Sequence, residues 1–148
     1  MELQKDMILL NQTDATPEEV IKKSGQLLVD AGCVESAYVD AMLEREKMVS
    51  TYMGNFIAIP HGTDEAKEYV KESGISIVQV PKGIDFSTAD EKEEKLATVI
   101  FGIAGVNNEH LDILQKIAVF CSDVQNVVKL ADADSAEEVI SLLGEVTA

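Results

Sequence analysis

The sequence predicts an α/β domain, one layered unit over residues 1–148 with its sheet covered by helices. Three observations carry that prediction. Short apolar runs bounded by turn residues recur at 7–10, 56–59, 75–80 and 97–104, the length and pattern of buried strands. Segments of helical period with legible caps lie between them. Finally, 148 residues with 46% apolar side chains and few Gly or Pro can bury a core without disulfides or a structural metal.

Taken in order, residues 7–10 read as a strand, and a helix follows from Thr16. Thr16 supplies the cap, Pro17 suits the first helical position, Glu19 completes a capping box, and Gly32 stops the helix; Val20, Ile21, Leu27, Leu28 and Ala31 form its inward stripe. A second helix is expected from Ser36 to about Met48, with Val39, Met42 and Leu43 facing the core and Arg45 near its C-terminal end. Residues 50–55 are polar and contain Gly54, which reads as a loop before the strand 56–59. After His61 the pattern switches to a helix capped by Thr63 or Asp64, burying Ala66, Tyr69 and Val70 and ending at Ser73-Gly74.

Residues 75–80 form a strand closed by Pro81, and the charged stretch 85–95 reads as a surface excursion with a short strand near Phe86. The most apolar run, 97–104, is the central strand. Helical signals return at Asn107 or Asn108 and carry Leu111, Ile113, Leu114, Ile117, Ala118 and Cys121 inward. A short helix covers 124–131, and the last starts at Ser135, whose capping box closes at Glu138, and ends near Gly144. No internal repeat or linker interrupts the chain.

A net charge of -15 argues against binding nucleic acid, which requires clustered Lys and Arg to neutralise phosphates. No apolar run approaches the roughly 20 residues that span a bilayer, and the N-terminus lacks a signal core, so a cytoplasmic address without direct membrane insertion is expected. Cys33 and Cys121 form neither a Cys-x-x-Cys pair nor a zinc pattern and read as small, reduced core residues.

The chemistry concentrates in three rare side chains. His61 leaves an apolar strand through a Pro/Gly-flanked corner and stands before a predicted helix start, where unpaired backbone N–H groups favour an anion. His110, the other of the two histidines, lies at another predicted helix start. Arg45 is the single arginine among twelve cationic residues. A cation near a helix C-terminus has an ordinary dipole explanation, and Asp40, Glu44 or Glu46 offers it an ion pair; arginine in a chain that otherwise uses lysine also suits bidentate phosphate binding. Two distant histidines make a poor metal site, and neither a nucleophile elbow nor a Walker loop is present. No cofactor or metal is called for.

These residues resemble the enzyme IIA domain, mannitol/fructose class, of the bacterial phosphoenolpyruvate-dependent sugar phosphotransferase system. The likeness covers essentially the whole chain and is sharpest in Met42-Leu43-Glu44-Arg45-Glu46, in Gly54-Asn55-Phe56-Ile57-Ala58-Ile59-Pro60-His61-Gly62-Thr63, and in Asn107-Asn108-Glu109-His110. The last segment and the Gly-Thr after His61 look most like the mannitol branch. The resemblance implies a sandwich with a mixed, mostly parallel sheet. It further implies that His61 accepts a phosphoryl group on Nε2 from the small phosphocarrier protein HPr and passes it to the IIB domain of a sugar permease. Arg45 and His110 match the residues around it, and Gly62 and Thr63 would offer backbone N–H groups to the phosphoryl oxygens. Asn55 departs from the pattern, standing where some mannitol-class members carry an acidic residue. Fructose-class and nitrogen-regulatory relatives often have Asn there, which leaves as the alternative a regulator whose phosphorylation state controls partner binding. A phosphate-independent interaction domain with a vestigial site is a third reading, opposed by the retention of all three rare side chains.

Overall fold

A computed structural model describes residues 3–147 of the chain, so residues 1, 2 and 148 of the expected 1–148 unit lie outside the description. The strands are β1 (Ile8–Leu9), β2 (Tyr52–Gly54), β3 (Ile57–Ala58), β4 (Gly74–Asp85) and β5 (Leu96–Ala104), in the spatial order β1-β4-β5-β3-β2. The helices are α1 (Pro17–Asp30), α2 (Ala37–Met48), α3 (Glu109–Cys121), α4 (Val124–Ala131), α5 (Ala136–Leu142) and a final turn α6 (Gly144–Thr147). This is the expected α/β layering on a mixed sheet.

The sheet is not mostly parallel, however. The β1–β4 and β3–β5 pairs are parallel, while β4–β5 and β2–β3 are antiparallel, and β4–β5 is the longest ladder. The cause is connectivity: the charged excursion 86–95 returns the chain beside β4 as a long hairpin, with no crossover helix between the two strands. Pro81 does not close β4 either. It sits exposed where the register shifts between Gln79 and Ile84, a place where its missing N–H removes no needed ladder bond, and the strand continues to Asp85.

Both faces of the central pair are covered. Ser76 donates its hydroxyl to the Ser24 carbonyl of α1 (2.7 Å), whereas Gln79, three residues on and so on the opposite face, donates to the Leu130 and Ala133 carbonyls at the end of α4 (2.9 and 3.0 Å). Residues 74–80 and 99–104 are accordingly buried without alternation. The caps legible in sequence are present: Thr16 Oγ1 accepts from the Glu19 N–H, Ser135 Oγ accepts from the Glu138 N–H, and Gly32 turns out of α1 at φ +81°.

Two expected elements differ. The loop expected at 50–55 contains β2, joined to β3 by a two-residue turn in which Asn55 (φ 49°) and Phe56 (φ 68°) are both left-handed, as a type I′ hairpin requires. Phe56 therefore cannot begin the strand. After His61 the expected α-helix is a 3-10 helix, Asp64–Tyr69. Backbone pairing draws the chain off the helix: the Glu35 N–H donates to the Tyr69 carbonyl, and the Lys71 and Glu72 N–H groups donate to the Cys33 carbonyl.

Candidate functional site

Three elements converge on the end of β3. The strand runs on through Ile59 and Pro60, and the Pro60 carbonyl accepts from the Ile103 N–H (3.0 Å), so the corner is anchored to the end of β5 and His61 itself forms a parallel bridge with Ile103. The imidazole is half-buried. Its Nδ1 lies 2.8 Å from the Ile59 carbonyl, which can only accept, so Nδ1 carries the proton and the unprotonated nitrogen is Nε2.

The backbone behind this bond is itself held. The Ile59 N–H donates to the Thr51 carbonyl (3.0 Å), and the Thr51 N–H and hydroxyl donate to the Glu46 carboxylate at the end of α2. Glu46 is thus engaged with Thr51 and not with Arg45, whose Nη1 donates to the Val49 carbonyl (2.6 Å), the cap that the helix dipole favours. A guanidinium has five N–H donors, so this bond leaves others to face a ligand. Arg45 reaches the site because it shares a face of α2 with the buried Tyr38, seven residues earlier. The buried stripe of α2 is Tyr38, Ala41 and Met42, rotated from the expected Val39, Met42 and Leu43, which are only partly covered for Val39 and Leu43.

His110 arrives from the other side. The Asn107-Asn108 pair turns the chain with two successive left-handed residues (φ 53° and 66°), a conformation Asn tolerates better than most side chains. Gly105 permits the turn to fold tightly, since a Cβ there would stand 2.1 Å from the His110 backbone nitrogen. Together they place His110 in the first turn of α3, facing His61 across a pocket of about 330 Å³ lined also by Arg45, Thr63, Met48 and Leu111. Larger clefts of about 800 and 720 Å³ lie elsewhere on the surface, but neither is lined by a histidine or by Arg45; the chemistry singles out the smaller one.

Electrostatics favour the neutral ring. Burial lowers the His61 pKa below its ordinary value, the Ile59 carbonyl opposes this, electrostatic interaction with Arg45 and His110 lowers it further, and Glu46 pulls it back up. The net direction is down. A neutral imidazole with a fixed tautomer is a nitrogen nucleophile at neutral pH, and a nearby arginine and second histidine suit an anionic electrophile.

The structure brings His61, Arg45, His110, Gly62 and Thr63 together around one pocket, but it changes the role of Gly62. Its N–H donates to the Tyr38 hydroxyl (2.9 Å) and is engaged within the fold, not turned toward a ligand. The short 3-10 helix after Thr63 also supplies a weaker dipole than the α-helix expected there. Asn55 stands apart: its amide donates to the Cys121 and Ser122 carbonyls at the far end of α3, so it caps that helix and does not face His61. Tyr38 and Thr51 are the residues that sequence reasoning missed. For Tyr38, its i, i+7 relation to Arg45 was the available signal.

The sequence profile of the family described as phosphoenolpyruvate-dependent sugar phosphotransferase system, EIIA 2, matches residues 1–146. The chain belongs to that family. Among EIIA 2 relatives, it is 61% identical over 132 residues to the mannitol-specific phosphotransferase enzyme IIA component of Enterococcus faecalis, covering 89% of this chain and 90% of that one. Its fold matches the IIA component in the complex of enzyme IIA mannitol with phosphorylated enzyme IIB mannitol from Escherichia coli, at a TM-score of 0.90 and 40% identity over 97% of this chain and 98% of that one. The nitrogen regulatory protein IIA-Ntr of Neisseria meningitidis shares the fold less closely, with a TM-score of 0.79 and 28% identity over 95% and 94% of the two chains. No helix among the described residues is long and apolar enough to cross a membrane.

Proposed function

We propose that this EIIA 2 protein is a cytoplasmic phosphohistidine carrier in mannitol uptake: His61 accepts a phosphoryl group from HPr and passes it to a mannitol-type IIB domain. The observation that carries the proposal is the commitment of His61 Nδ1 to the Ile59 carbonyl, which leaves Nε2 as the nucleophile in a pocket shared with Arg45 and His110. The Nε2 lone pair attacks phosphorus as the bond from phosphorus to the donor atom of HPr breaks, the bonding pair leaving with that atom. Nδ1 keeps its proton throughout, and the positive charge that develops on the ring is drawn toward the Ile59 carbonyl. Arg45 and His110 hold the equatorial oxygens, with the Thr63 backbone beside them; Gly62 contributes by its shape and not by its N–H. The second transfer reverses these roles, with the Nε2–phosphorus bond breaking as the IIB acceptor attacks.

A carrier must dock two partners in turn and release each. Met48 (68% exposed) and Leu111 (60% exposed) flank the pocket from α2 and α3, an apolar rim suited to short-lived contacts. The mannitol assignment favours transport over the regulatory alternative and follows the names of relatives that are far more similar than the nitrogen regulatory protein. Its test is a phosphotransfer assay in which the phosphorylated protein is offered purified IIB domains of several sugar types. Rapid transfer to the mannitol type alone is expected, and transfer to none of them would favour the regulatory reading.

A pH dependence follows from the lowered His61 pKa. Attack needs the neutral ring, so Nε2 should remain available as the pH falls through the ordinary histidine midpoint of about 6.5, and be lost only at lower pH. The same shift means that between the two midpoints the unfolded chain binds more protons than the folded one, so this group makes stability rise with pH there. A carbon-detected NMR titration of the His61 ring reads this directly. The midpoint is expected below 6.5; a midpoint above it would remove the electrostatic part of the account.

A further inference from the structure

We infer that Tyr38 is the positioning residue that registers the three site side chains against one another, acting through its hydroxyl. Tyr38 is 4% exposed, and that hydroxyl makes two bonds, donating to the Ile103 carbonyl (2.8 Å) and accepting from the Gly62 N–H (2.9 Å). Each partner belongs to a segment that carries a different site residue. Gly62 follows His61 directly, Ile103 lies two residues before the Gly105 turn that delivers His110, and Tyr38 itself is two helical turns from Arg45 on the same face of α2. One oxygen atom therefore joins the His61 corner, the strand end leading to His110 and the helix bearing Arg45.

The packing around the ring supports this reading. A Cβ on Gly62 would stand 2.6 Å from a Tyr38 ring carbon, so the ring lies flush against the corner and the absence of a side chain at position 62 is what admits it. Burial pushes the phenol pKa up, which keeps the hydroxyl protonated and able to donate to Ile103 across the working pH range. A tyrosine on the buried stripe of a helix is ordinarily explained by the apolar area it covers, with its hydroxyl taking any convenient partner. Here the hydroxyl instead holds the residue adjoining the nucleophile. Its two hydrogen bonds go to backbone groups and to none of the His61, Arg45 or His110 side chains, so its effect on transfer is through placement.

The inference rests on His61 being the phosphoacceptor, and its test separates the two. The parent protein and Tyr38→Phe are compared in steady-state phosphoryl transfer from phosphorylated HPr to a purified mannitol-type IIB domain, with label mapped to His61 in the parent. Tyr38→Phe removes only the hydroxyl, and a small misplacement of reacting groups lowers kcat by roughly ten- to a hundredfold. KM for phosphorylated HPr should stay within about twofold, because the docking rim is untouched. Hydrogen exchange at the Gly62 amide, followed by NMR, should quicken in the folded variant. A parental kcat, or a loss confined to KM, would overturn the inference. Should Tyr38→Phe prove unfolded at the assay temperature, Gly62→Ala decides: its methyl displaces the same ring and should reproduce the kcat loss with KM retained, whereas a parental kcat would overturn the inference. Absence of label on His61 in the parent would instead defeat the phosphoacceptor reading itself.

Discussion

His61→Ala is expected to abolish phosphoryl acceptance from HPr while leaving the fold in place. The ring supplies Nε2 as the nucleophile, its tautomer fixed by the Ile59 carbonyl, while the neighbouring Tyr38 hydroxyl is engaged by Gly62 and Ile103. The structural loss is small. One bond to the Ile59 carbonyl disappears, worth about 0.5 to 1.5 kcal/mol. Circular dichroism should therefore match the parent while an acid-labile, base-stable mass increase is missing. Label retained by His61→Ala would place the acceptor elsewhere.

Arg45→Lys carries the next largest expected effect, slower transfer with little change in stability. Lysine keeps the charge but loses the planar fork that grips two phosphoryl oxygens at once. It also cannot hold the Val49 carbonyl and a ligand with the same division of donors. A loss of about 1 to 3 kcal/mol in the transition state corresponds to slowing by up to roughly a hundredfold. Rapid-quench kinetics resolve the chemical step from docking, and unchanged rates there would reduce Arg45 to its helix-capping role.

What the sequence made legible was local or chemically rare. Thr16-Pro17 and Ser135 declare helix starts because a cap is a matter of a few neighbouring residues. His61, Arg45 and His110 stood out because the chain has so few of each, and all three line one pocket. The less legible features depend on contacts distant in sequence. Whether β4 and β5 run parallel is decided by how residues 86–95 return, which no periodicity encodes. The helix expected after His61 is cut short by the Cys33 and Glu35 backbone, nearly thirty residues upstream or more, which outcompetes a fair local propensity. Gly62 shows the same limit within the site. Its lack of a side chain marks a close approach, but only the fold reveals that the approaching group is Tyr38 and that its N–H is thereby engaged. Asn55, which looked like a departure from the site, is a helix cap on the opposite end of α3.

Phosphoryl transfer turns on one atom, Nε2 of His61. This is tested most directly by phosphorylating nitrogen-15-labelled protein with HPr, enzyme I and phosphoenolpyruvate and recording the nitrogen–phosphorus coupling by NMR. The Nδ1 proton held by the Ile59 carbonyl requires phosphorus on Nε2 of His61, with Nδ1 still protonated. Phosphorus on Nδ1, or on His110, would contradict the account.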